Sequence, residues 1–116
     1  LASFDELYGA AFPKSTDVPV RKGFEVFRQH CISCHSINLA GGTAGMEMNV
    51  PKNITEYWNQ DHFTQFVRNP ESYRARAKMT PKEHLTSEEM GLLWTYLKAM
   101  GNEKICSDME SCKKVK

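Results

Sequence analysis

The five residues Cys31-Ile32-Ser33-Cys34-His35 constrain this chain more than any other feature in it. Two thiols at this spacing can add to the two vinyl groups of one haem, and the adjoining imidazole can then reach the iron, so C-x-x-C-H reads as a haem attachment site. A redox C-x-x-C would want a strand-rich, thioredoxin-like setting, and half of a zinc site would want a further Cys or His pair at ligand spacing. A covalent haem also suits the size. A chain of 116 residues with 41% hydrophobic content fits one domain, whose side chains alone make a core that is only just adequate. A buried cofactor relieves that shortage.

The rest of the chain reads as helices around this motif. Phe4, Leu7, Tyr8 and Ala11 recur at helical spacing before Pro13, predicting one short packed helix. Val20, Phe24, Phe27 and Cys31 share a face and predict a helix from about Val20 to Cys31 that delivers the motif at its end. From Asn38 to Pro51, three glycines and no periodicity predict an irregular loop. No Lys-Ser or Lys-Thr follows those glycines, so they make no phosphate loop. Asp61 can cap a helix carrying Phe63, Phe66 and Val67, ended by Asn69-Pro70, and a shorter turn is expected from Pro70 to Tyr73. Thr86 and Glu89 form a capping box, with Leu85 placed to staple onto Met90. That helix should run through Leu93, Trp94, Tyr96 and Leu97 to Gly101. No segment shows strong strand alternation, so the expected class is all-α. The expected organisation is one domain over 1–116, with an N-terminal helical extension (1–19), a core (20–101) and a tail (102–116).

Beyond the attachment motif, the chain resembles the class I c-type cytochromes. Gly23 and Phe27 stand eight and four residues before Cys31, as a glycine and an aromatic do in the N-terminal helix of that family. Leu93-Trp94-Thr95-Tyr96-Leu97-Lys98 is similar to its C-terminal helix. The resemblance implies a cytochrome c fold of about four to five helices around one haem c, with these two helices crossed and Gly23 and Phe27 near Leu93 and Tyr96. Asn69-Pro70-Glu71-Ser72-Tyr73, followed by Lys78-Met79, resembles the family's methionine-ligand segment. Trp58 stands eleven residues before Asn69, like the tryptophan whose indole N–H bonds a haem propionate. The resemblance thus implies metal ligands His35 and Met79, with Trp58, Tyr73 and Arg76 as further haem contacts. Met46, Met48, His62 and His84 are the competing sixth ligands.

Several features depart from the family. Its proline soon after the haem histidine, whose carbonyl accepts the imidazole N–H, has no counterpart before Pro51, so another carbonyl must orient His35. Phe66 replaces the tyrosine that contacts the methionine sulfur. Arg74, Arg76, Lys78 and Lys82 make the ligand loop basic, which suits docking of redox partner proteins there and at the exposed haem edge, or a guanidinium clamp by Arg76 on a propionate. Cys106 and Cys112 can form a disulfide that pins the tail, worth about 2 to 3 kcal/mol on chain-entropy grounds. Asn53-Ile54-Thr55 matches a glycosylation acceptor, too short a pattern to carry weight.

A net charge of +1 gives no general attraction to nucleic acid or anionic lipid, and no apolar run of eighteen residues spans a membrane. The chain opens at Leu1 without a basic and apolar leader pattern, predicting a mature, processed form. The haem motif and the resemblance to c-type cytochromes imply a periplasmic, monomeric electron carrier without enzymatic activity. The alternatives are a haem enzyme or gas sensor with a displaceable sixth ligand, and a cytochrome subunit of a larger oxidoreductase.

Overall fold

The computed structural model describes residues 8–70, 82, 84–106 and 110–111. They hold three α-helices: α1 (Val18–His30), α2 (Gln60–Arg68) and α3 (Ser87–Met100). Two 3-10 turns, Gly9–Ala11 and Ile54–Glu56, accompany them. The expected four to five helices are therefore not all present as α-helices among the described residues. A small hairpin pairs β1 (Ser36–Ile37) with β2 (Ala40–Gly41), antiparallel, Ser36 opposite Gly41. It corrects the wholly irregular loop expected from the sequence; the described residues are mostly helical, in keeping with the expected all-α class apart from this small sheet. Two-residue strands leave no alternation for a sequence pattern to register.

The expected crossing of the first and last core helices is the main packing contact. Gly23 on α1 makes it possible, since a Cβ there would overlap the Leu92 carbonyl oxygen and lie 2.6 Å from Tyr96 Cβ. Phe24 and Phe27 follow on the same face, their ring centroids 5.7 and 5.4 Å from that of Tyr96. Phe24, Phe27, Leu93, Tyr96, Leu97 and Met100 are all essentially buried. Full burial of each such side chain contributes about 1.5–3 kcal/mol, so this crossing holds a large part of the core. Pro19 sits in the first turn of α1, where its missing N–H costs nothing, so the helix starts two residues before the predicted Val20.

The capping box of α3 forms as predicted, with Thr86 Oγ1 accepting from Glu89 N–H and Glu89 Oε1 accepting from Thr86 N–H, each at 3.0 Å. Leu85 and Met90 are both buried beside it. For α2, Asn59 rather than Asp61 is the cap. Its Oδ1 accepts from His62 N–H at 2.8 Å, because the helix begins two residues earlier than expected. In the N-terminal extension, Gly9 takes a left-handed φ of 56° and a 3-10 turn over Gly9–Ala11 stands where the predicted helix was to end; Phe4 and Leu7 lie outside the described residues. The extension still packs as expected. Tyr8 and Phe12 meet Phe24 edge-on, and the buried Tyr96 hydroxyl donates to the Ala11 carbonyl at 2.5 Å. Burial raises the Tyr96 hydroxyl far above the usual phenol range.

Three buried asparagines join these parts. The Asn53 amide donates to Asn49 Oδ1 (2.8 Å) and to the Leu97 carbonyl near the end of α3 (2.6 Å). The Asn49 amide donates to Asn38 Oδ1 (2.7 Å), and the Asn38 amide to the carbonyls of Ala10 and Glu103. This ladder ties the extension, the hairpin and the tail to α3. Buried amides stabilise only when paired, as these are.

Candidate functional site

Helix α1 ends where the attachment motif begins. Cys31 N–H and Ile32 N–H both donate to the Phe27 carbonyl, and Cys34 and His35 fold back onto the Cys31 carbonyl, closing one compact turn. Within it Cys31 is buried and Cys34 exposed, and both are free thiols. Burial pushes the Cys31 thiol up to about 12, so it stays protonated and unreactive at neutral pH unless its surroundings change.

The glycine-rich loop is built around this turn. Gly42 N–H donates to the Ile32 carbonyl (2.8 Å) and Gly45 N–H to the Cys34 carbonyl (2.7 Å). A Cβ at Gly42 would run into Ser33 backbone, and one at Gly45 would press on the His35 ring, 2.6 Å from Nδ1. The glycines are therefore places where the loop must lie flat on the motif.

His35 Nδ1 lies 3.0 Å from the Met46 carbonyl oxygen. A carbonyl can only accept, so this bond fixes the proton on Nδ1 and leaves the lone pair on Nε2. The sequence required an acceptor for this N–H and carried no sign of which; it is the Met46 main chain. A backbone carbonyl has no side-chain signature, and the nearest hint was the run of glycines that lets the loop reach the ring.

Trp58 is half-buried and stacks on Phe66 (5.0 Å between centroids) and on His62 (4.6 Å). Phe63 and Val67 on the other side of α2 are buried in the core, with Phe63 against Trp94 at 5.3 Å. Among the competing methionines, Met48 is buried in the core while the Met46 side chain is 41% exposed. His84 meets His30 edge-on, with ring centroids 5.2 Å apart. Met79, Tyr73 and Arg76, with Arg74, Lys78 and Cys112, lie outside the described residues. Cys106 is buried with Val50, beside Leu39 and Ile105.

These residues fit a covalent haem. Two free thiols sit in one turn, followed by an imidazole whose Nδ1 is engaged and whose Nε2 is the remaining ring donor, with a half-buried aromatic pair in Trp58 and Phe66. No group of three or more His, Cys, Asp or Glu is placed to hold a metal ion among the described residues, so the thiols are not part of a described zinc site. No described helix is long and apolar enough to cross a membrane. The family model described as cytochrome C oxidase, cbb3-type, subunit III matches residues 18–97. No solved structure matches the chain.

Proposed function

Because the chain belongs to the cbb3-type cytochrome c oxidase subunit III family and is a c-type cytochrome domain, we propose that it is a periplasmic one-electron carrier with a single haem c. The turn of residues 31–35, with its two free thiols and its Nδ1-anchored imidazole, carries this reading. When bound, the haem supplies a reversible ferric–ferrous couple. Cys31 and Cys34 would hold it covalently through their thiols, and His35 Nε2 would ligate its iron. Met79 would be the second iron ligand, and its soft sulfur would favour the ferrous state more than a second imidazole does. Trp58 and Phe66 would help exclude water from the haem, and the Trp58 indole N–H would be available to a propionate. Tyr73 supports the ligand segment, and Arg76 pairs with a propionate. In this reading the chain acts as a carrier and not as an enzyme.

Redox partner proteins dock at the haem edge beside Cys31 and Cys34 and at the basic loop of Arg74, Arg76, Lys78 and Lys82. The whole chain, 1–116, acts as one monomeric domain of cytochrome c fold whose tail is pinned by a Cys106–Cys112 disulfide. In support, Cys106 is the one cysteine among the described residues that is not a free thiol.

The test is the optical spectrum of the wild type and Met79→Ala. A weak far-red sulfur-to-iron band in the ferric wild type, lost in the variant, is expected. A band that is absent, or untouched by the substitution, removes Met79 and opens Met46, Met48, His62 and His84. Strong carbon monoxide binding by the reduced wild type at neutral pH would favour the gas-sensor alternative. The family description favours a second reading, a subunit held within a larger oxidoreductase, which predicts stable co-purification with that complex.

A further inference from the structure

Glu47 stands next to the residue whose carbonyl holds His35, and its carboxylate is fully engaged. Oε1 accepts from Leu39 N–H (2.8 Å), and Oε2 from Asn49 N–H (2.6 Å) and Val50 N–H (2.7 Å). Charge-assisted bonds to backbone amides are the strong kind. Leu39 and Asn38 form the tip of the hairpin, both left-handed at φ 67° and 54°. A backbone bridge joins Glu47 to Ser36, the residue after His35, and Met48 N–H donates to the Ser36 carbonyl at 2.8 Å. One side chain thus ties the hairpin tip to the segment that carries the Met46 carbonyl.

We propose that Glu47 is a positioning residue for the His35 imidazole: it holds residues 46–50 against the hairpin so that the Met46 carbonyl stays on Nδ1. This rests on His35 being a haem ligand. An Nδ1–H given to a well-placed acceptor makes Nε2 a stronger donor, which favours ferric iron. Loosening the acceptor weakens that donation and raises the reduction potential.

The Glu47 charge could also act on the potential directly, so the deciding variant keeps it. In Glu47→Asp the carboxylate remains but is one methylene too short to bridge Leu39 to Asn49 and Val50. With haem-loaded protein, Glu47→Asp and Glu47→Gln should both raise the potential. Both should also speed exchange of the His35 Nδ1 proton, seen by NMR, by roughly tenfold, the loss of one ordinary hydrogen bond. A shift in Glu47→Gln alone would mean a pure charge effect, and a lower melting temperature with unchanged potential and exchange would mean a structural staple. Either result overturns the proposal. If the wild type carries no covalent haem, or His35→Ala leaves its axial ligation intact, the haem-ligand reading fails instead, before Glu47 is at issue.

Discussion

The crossing of α1 and α3 leaves no room at Gly23, which makes two alanine substitutions diverge. In Gly23→Ala the new Cβ would overlap the Leu92 carbonyl oxygen and stand 2.6 Å from Tyr96 Cβ, inside the 3.0 Å that Cβ atoms keep. The obstructing atoms belong to backbone and to a Cβ, so no rotamer change relieves them and the helices must part. Overpacking of this kind costs about 1–3 kcal/mol, and the rigid neighbours put it at the upper end. Better helix propensity offsets about 1 kcal/mol, leaving a net loss of about 2 kcal/mol. At about 4 °C per kcal/mol for a domain near this size, the melting temperature falls by roughly 8 °C. Gly91, also inside a helix, meets only Gln60 Nε2 at 4.0 Å. Gly91→Ala therefore keeps the propensity gain of about 1 kcal/mol and melts roughly 4 °C higher. Thermal melts followed by far-UV circular dichroism read both. A neutral or stabilising Gly23→Ala, or two alanines of the same sign, would refute the close crossing.

Asn53→Leu removes the amide that feeds Asn49 and Leu97 and strands a buried Asn49 oxygen and the Leu97 carbonyl; urea titration should show a loss of about 2–4 kcal/mol. In the haem-free chain, alkylation at neutral pH followed by mass spectrometry should label the exposed Cys34 and spare Cys31, whose burial pushes its thiol up to about 12; equal labelling would contradict the buried placement. Burial first, then the charges of His84 and Lys82, hold His30 below its ordinary 6.5, with Glu89 opposing. The unfolded chain then binds the proton more readily, so stability is complete above about 6.5 and declines as pH falls below it. His30→Gln should flatten that part of the pH–stability curve, and an unchanged slope would discard His30 as its source.

Much of this architecture was legible because it is written in side chains. The α1 stripe of Val20, Phe24 and Phe27, the Thr86–Glu89 box and the spacing of Gly23 to Cys31 each leave a pattern, and each reappears in the structure. The misses fall where backbone conformation or a choice between neighbouring residues decides the outcome. A left-handed Gly9 put a 3-10 turn at the end of the predicted N-terminal helix, and Asn59, one residue before α2, took the cap from Asp61. The hairpin was too short for alternation to show, and its tip is set by amides bonding to Glu47 and not by hydrophobic pairing.

The support of His35 follows the same logic and has a consequence for how residues 45–47 tolerate change. The acceptor is the Met46 main chain, so the identity of that exposed side chain is nearly irrelevant to the bond. Its neighbours are not free in the same way. Gly45 lies flat against the ring and any Cβ there would displace it, while Glu47 alone supplies the carboxylate that fixes the following turn. A function carried by one carbonyl thus imposes its constraint on the two flanking positions and not on the residue that performs it.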